Sequence, residues 1–126
     1  MSRNIVSSDQ LPKPSPYFSH AVKCAGLVFV SGTAPYSPET GKIVGETIQE
    51  QTAQALRNVS AILAAAGTGL DKAVSATVIL ADEADFAGMN EEWLKWFPVD
   101  PPARQGAKLP VRVPGLRISI AMIAEG

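Results

Sequence analysis

Four cations and no acid lie between Arg104 and Arg117: Arg104, Lys108, Arg112 and Arg117. Arg104 differs from the others in what precedes it. Pro101 and Pro102 make a rigid turn, because proline fixes φ, and Arg104 opens the strand that follows Ala103. A guanidinium held there has a defined direction. It matches a carboxylate through two parallel hydrogen bonds, a geometry that lysine's ammonium cannot reproduce. The residues leave two readings open, a carboxylate-binding fork or one half of a structural ion pair. The other three cations read as solvated side chains near strand ends.

Other chemistries find no support in the residues. Gly41-Lys42 is followed by Ile43, so the hydroxyl of a phosphate-binding loop is missing, and Gly67-Thr68-Gly69 reads as a helix stop with a turn. A Ser–His–Asp site would need His20, the only histidine, which sits in a predicted strand with no orienting acid near it in sequence; it reads as structural. Cys24, in the same strand, reads as a buried, inert thiol. Trp93 and Trp96 share helical spacing with Phe86 and Met89, which favours a core role over stacking on a ligand. One cysteine and one histidine cannot build a structural zinc site or an intrachain disulfide.

Composition narrows the classes further. Apolar residues make up 46% and charged residues 18% of the chain, the balance of a globular protein. Lysine plus arginine is 11 against 12 for aspartate plus glutamate, a formal net charge of −1, so neither nucleic acid nor an anionic membrane is expected as a partner. Met1 to Gln10 is polar with no apolar signal region after it, and no apolar run approaches the roughly 20 residues of a spanning helix. The expected compartment is the cytoplasm.

The elements that must position Arg104 are legible from periodicity. Residues 1–19, with Pro12, Pro14 and Pro16, predict an extended segment outside any sheet interior. His20–Ala25 and Leu27–Ser31 predict a hairpin around Gly26, its second strand apolar on both faces. Thr47 and Glu50 have capping-box spacing, and an apolar helical stripe runs from Ile48 to Ala66 before Gly67 ends it. Val74–Leu80 predicts a strand. Asp82 is a candidate cap for a second helix with the stripe Phe86, Met89, Asn90, Trp93, Trp96 and Phe97. Ala103–Leu109 and Leu116–Ala124 complete the order ββ, α, β, α, ββ in one domain, 1–126. Two helices can cover only one face of a mixed sheet, yet several strands are apolar on both. The uncovered face must bury itself against another subunit.

These segments together resemble the Rid (YjgF, or L-PSP) family. Pro102-Ala103-Arg104 resembles its Pro-Ala-Arg motif, Pro16-Tyr17 its Pro-Tyr segment, and Val30-Ser31-Gly32-Thr33 its Ser-Gly strand end. Pro38-Glu39-Thr40-Gly41 is similar to the following turn, Gln51 to Gly67 with Asn58-Val59 to its first helix, and Ile118 to Ala124 to its last strand. The resemblance spans nearly the whole chain in order. It implies a chorismate-mutase-like α+β fold, a homotrimer with clefts between subunits, and hydrolysis of 2-imino and enamino acids to 2-keto acids and ammonia without metal or cofactor. It also implies that Arg104 holds the substrate carboxylate and that Tyr17, Ser31 and Gly32 line the same cleft. Two positions depart from the family pattern: Gly106 stands where its cysteine follows the arginine, and Ala121 where a last-strand glutamate orients the attacking water. Three functions follow as expectations: a deaminase of small imino acids, a non-catalytic trimer binding carboxylate metabolites, and a deaminase of an aminomuconate-like intermediate. The ribonuclease activity in the family's other name finds no His/Lys general-base pair here.

Overall fold

The first helix starts where its cap dictates. In the structure, a computed structural model describing residues 2–126, Thr47 Oγ1 accepts the Glu50 N–H at 3.1 Å and Glu50 Oε1 accepts the Thr47 N–H at 3.0 Å. The bonds that the Glu50 carboxylate accepts from the Thr47 N–H, the Glu46 N–H and the Thr47 hydroxyl hold it below its ordinary pKa. Helix α1 runs Ile48–Ala65, and the chain leaves it through Gly67 at φ +87°, a conformation that costs glycine nothing.

The strands are β1 (Asn4–Val6), β2 (Ala21–Cys24), β3 (Leu27–Thr33), β4 (Ala73–Leu80), β5 (Ala103–Lys108) and β6 (Ile118–Glu125), with α2 (Phe86–Trp96) between β4 and β5. They form one mixed sheet in the order β1-β2-β3-β6-β4-β5. β4 and β5 are parallel neighbours, whereas β6 is antiparallel to both β3 and β4. The α+β architecture with two helices on one face is as the pattern predicts.

The core lies between the helices and that face. Val28 and Val30, then Ala76, Val78 and Leu80, then Ile118, Ile120, Met122 and Ala124 alternate inward along β3, β4 and β6. Leu56, Val59, Ile62 and Leu63 of α1, and Met89 and Trp93 of α2, close over them. Trp93 stacks obliquely on Phe97 with centroids 4.8 Å apart. The opposite face, including Phe29 on β3 and Ala121 and Ile123 on β6, has no covering layer among the described residues; Phe29 is 42% exposed.

Several local expectations change. β1 was absent from the predicted order; three residues are too few to display alternation, and the strand takes the sheet edge ahead of the prolines. Leu27–Val30 is buried on its helix side only, because none of the described residues covers the other. Asp82 caps a 3-10 turn, its Oδ1 accepting the Ala84 N–H at 2.8 Å, and α2 begins after that turn. β5 ends at Lys108, and β6 begins at Ile118 and runs to Glu125. Phe86 leaves the core stripe and is exposed, Trp96 is half-buried with its indole N–H on Glu92 Oε2 at 2.9 Å, and Cys24 is partly accessible. No described helix is long and apolar enough to cross a membrane.

Candidate functional site

Arg104 stands at the second residue of edge strand β5, opposite Ala76 and therefore on the helix side of the sheet. Its guanidinium carbon lies 5.2 Å from the Trp93 ring and 5.8 Å from that of Phe86, and Nη1 is 3.6 Å from Met89 Sδ. Aromatic faces hold a planar cation by their quadrupoles without using its hydrogen-bond donors. Partial burial lowers its pKa from the ordinary value, and an arginine remains cationic in proteins all the same. No acid among the described residues pairs with it. Arg117, read from the sequence as solvated, is the cation of this stretch that makes a structural ion pair, its Nη1 3.1 Å from both carboxylate oxygens of the buried Asp85. Arg104 is thus oriented and uncompensated.

The cleft in front of it, about 530 Å³, is floored by Val78, Leu80, Phe86 and Met89 and edged by Gly106, Lys108 and Glu83. Gly106 faces the same side as Arg104, and a Cβ there would lie 3.3 Å from the Val78 carbonyl oxygen.

Ser31 and Gly32 are elsewhere. They line a second cleft of about 270 Å³ with Phe18, His20, Thr33 and Tyr36. Strands β6 and β4 stand between β3 and β5, so the two groups are about 14 Å apart across the sheet, three strand spacings. Tyr17 is 92% exposed and projects beside this second cleft, which its neighbours Phe18 and Ser15 line. One chain therefore brings Ser31 and Gly32 together, with Tyr17 adjacent, and does not bring them to Arg104.

Buried polar side chains fix the second cleft. His20 Nδ1 accepts the Ser8 N–H at 3.1 Å, so the proton sits on Nε2, which donates to the Pro12 carbonyl at 3.0 Å. Both nitrogens are engaged, which leaves no lone pair for base catalysis and makes the residue structural. Asn58 Nδ2 donates to the carbonyls of Ala34 and Tyr36, pinning the loop after β3 to α1. Ser31 Oγ–H donates to the Ser19 carbonyl at 2.6 Å. Gln51, fully buried, donates to the Gly45 and Gly115 carbonyls and accepts the Arg117 N–H, and so ties the β5–β6 loop to α1.

A bulge defines the floor on the open side of the sheet. Val30 pairs with Met122 and Thr33 with Ile120, so Ser31 and Gly32 together oppose Ala121. Such an insertion re-aims the strand. A Cβ on Gly32 would lie 3.0 Å from Ser119 Oγ, so the Ser119 hydroxyl reaches the place that glycine leaves empty. Sequence reasoning did not find Tyr36, Phe86 or Lys108 as cleft residues, nor Ser119 as the side chain that meets Gly32. For Ser119 the available signal was its position two residues before Ala121, on the same face of one strand. Burial raises the Tyr36 phenol's pKa above its ordinary value.

Known proteins are similar to this chain in sequence and in fold. The profile of the endoribonuclease L-PSP family matches residues 8–126. A chloroplastic reactive intermediate deaminase A of Arabidopsis thaliana is 40% identical over 127 residues, which take in 98% of this chain and 66% of that protein. A 2-iminobutanoate/2-iminopropanoate deaminase of Mus musculus is 33% identical over 122 residues, 97% of this chain and 90% of that one. The crystal structure of yeast Mmf1 superposes with a TM-score of 0.91 at 32% identity, over 98% of both chains. That of E. coli TdcF with bound serine does so at 0.88 and 28% identity, again over 98% of both.

Proposed function

The chain belongs to the endoribonuclease L-PSP family, the Rid/YjgF proteins, and from that premise we propose that it is a hydrolytic deaminase of small 2-imino and enamino acids. Water adds to the C=N carbon, the C–N bond then breaks, and nitrogen leaves as ammonia while the carbon becomes the carbonyl of a 2-keto acid. The observation that carries this reading is Arg104, a guanidinium braced by Trp93 and Phe86 with no acid partner among the described residues. It binds the substrate carboxylate through its fork and so fixes where the imine carbon stands. Positioning of this kind accelerates a reaction that is intrinsically fast in water.

The catalytic constellation is completed by a second copy of the chain. The open sheet face supports a closed homotrimer, in which Arg104 of one subunit meets Tyr17, Ser31 and Gly32 of its neighbour. Sedimentation equilibrium at micromolar concentration is expected to give three times the chain mass of 13.3 kDa. A stable monomer would remove the shared cleft.

The activity itself is tested by generating imines in situ with an amino-acid oxidase and following ammonia and keto acid release. Release faster than the uncatalysed rate is expected. Ala121 favours a second reading, a trimer that binds 2-keto acids without turning them over, since a methyl group cannot orient water; that reading predicts keto acid binding with no acceleration. A deaminase of an aminomuconate-like acid is the third reading.

A further inference from the structure

Arg104 is not the only cation in its cleft. Lys108 lines it too, four residues along the same strand. Arg104 stands opposite Ala76 and Lys108 opposite Leu80, both core-facing residues, so the two cations project from the same side of β5. Their Cα atoms are about 13 Å apart, four residues of extended chain. Between them on that side is only Gly106, which has no side chain to divide the space. The floor below, with Met89 and Phe86, is apolar and suits a short hydrocarbon segment. Glu83 is the one acid lining the cleft, and neither cation forms an ion pair with any acid among the described residues.

Two unpaired cations at either end of one apolar trough make a receptor for a molecule with two anionic ends. We propose that this cleft takes dicarboxylic 2-imino and 2-keto acids, with Arg104 on the 2-carboxylate and Lys108 on the distal one. The inference rests on the reading of Arg104 as the carboxylate clamp and adds the substrate class to it. Glu83 opposes the distal carboxylate, so it tempers the affinity.

Calorimetric titration of the intact protein with 2-ketoglutarate and with 2-ketobutyrate separates the two ideas. 2-Ketoglutarate is expected to bind about fivefold more tightly, the scale of one partly exposed ion pair. Lys108→Gln should abolish that preference, so that the variant binds 2-ketoglutarate no more tightly than it binds 2-ketobutyrate. Glu83→Gln should enlarge it, a gain of function that no folding defect can mimic. If 2-ketobutyrate binds, 2-ketoglutarate binds no better and neither variant alters the ratio, the dicarboxylate assignment is overturned and the Arg104 clamp stands. If neither keto acid binds, the clamp fails and the assignment with it.

Discussion

Arg104→Lys is expected to weaken 2-ketobutyrate binding by about 1.5–3 kcal/mol, the range for hydrogen bonds to charged groups. The substitution keeps the positive charge and removes the planar fork, so it isolates geometry from net electrostatics. Stability should change by less. In the folded chain the guanidinium lies over Trp93 and Phe86 at 5.2 and 5.8 Å, and contacts of that kind at accessible sites are worth about 0.5–1 kcal/mol. A lysine retains part of that. Calorimetric titration and thermal melting, run on parent and variant together, therefore give different answers for the two roles. Equal affinity in both proteins would make Arg104 structural and would take the proposed chemistry away from this edge of the sheet.

The helical half of the fold was legible because its signals are local. Thr47 and Glu50 announce a start and Gly67 a stop, and the apolar residues between them recur with a helical period. β6 was equally clear, since Ile118, Ile120 and Met122 alternate with Ser119, Ala121 and Ile123, and the structure buries the first set. β1 was not legible, because a three-residue strand is defined by the partner it meets, here Lys23 to Ala21 of β2. Phe86 misled for a related reason. Helical spacing says which residues share a stripe, whereas the width of the buried part depends on what packs there; the stripe's first member overhangs the core edge and stands beside Arg104.

The surroundings of the candidate site residues were partly legible one residue at a time, and their grouping was not. The rigid turn before Arg104 spoke for an oriented guanidinium, and the structure leaves that group without an acid while giving Asp85 to Arg117. The structural role of His20 was also foreseeable, although its two partners, the Ser8 N–H and the Pro12 carbonyl, depend on how residues 8–12 fold back. No pattern in the sequence reports that two residues of β3 oppose one residue of β6. That bulge is a matter of register between strands about 90 residues apart in the chain, and it is what sets Ser31, Gly32, Ser119 and Ala121 side by side.

The same bulge makes Ala121 the position at which activity is most open to gain. Ala121 shares the face of β6 turned away from the helices and stands opposite Ser31 and Gly32. A carboxylate there would project toward the strand end that the proposed mechanism assigns to the substrate. It would accept a hydrogen bond from the attacking water and take its proton as the C–O bond forms. General-base assistance contributes about two to four orders of magnitude where it is fully evolved, and a transplanted group less, so Ala121→Glu is expected to raise imine hydrolysis by about ten- to a hundredfold. Ala121→Gln, of similar size and without a base, should give little of that gain. A cost is expected alongside it. Ala121 is half-buried in one chain, and the proposed trimer covers its face further, so an unpaired carboxylate there lowers the melting temperature. Rate and melting are therefore measured together, with imines supplied by an amino-acid oxidase. A folded, stable Ala121→Glu protein that gains nothing on any small imino acid would remove water orientation at this face from the mechanism and leave the carboxylate-binding trimer as the better account.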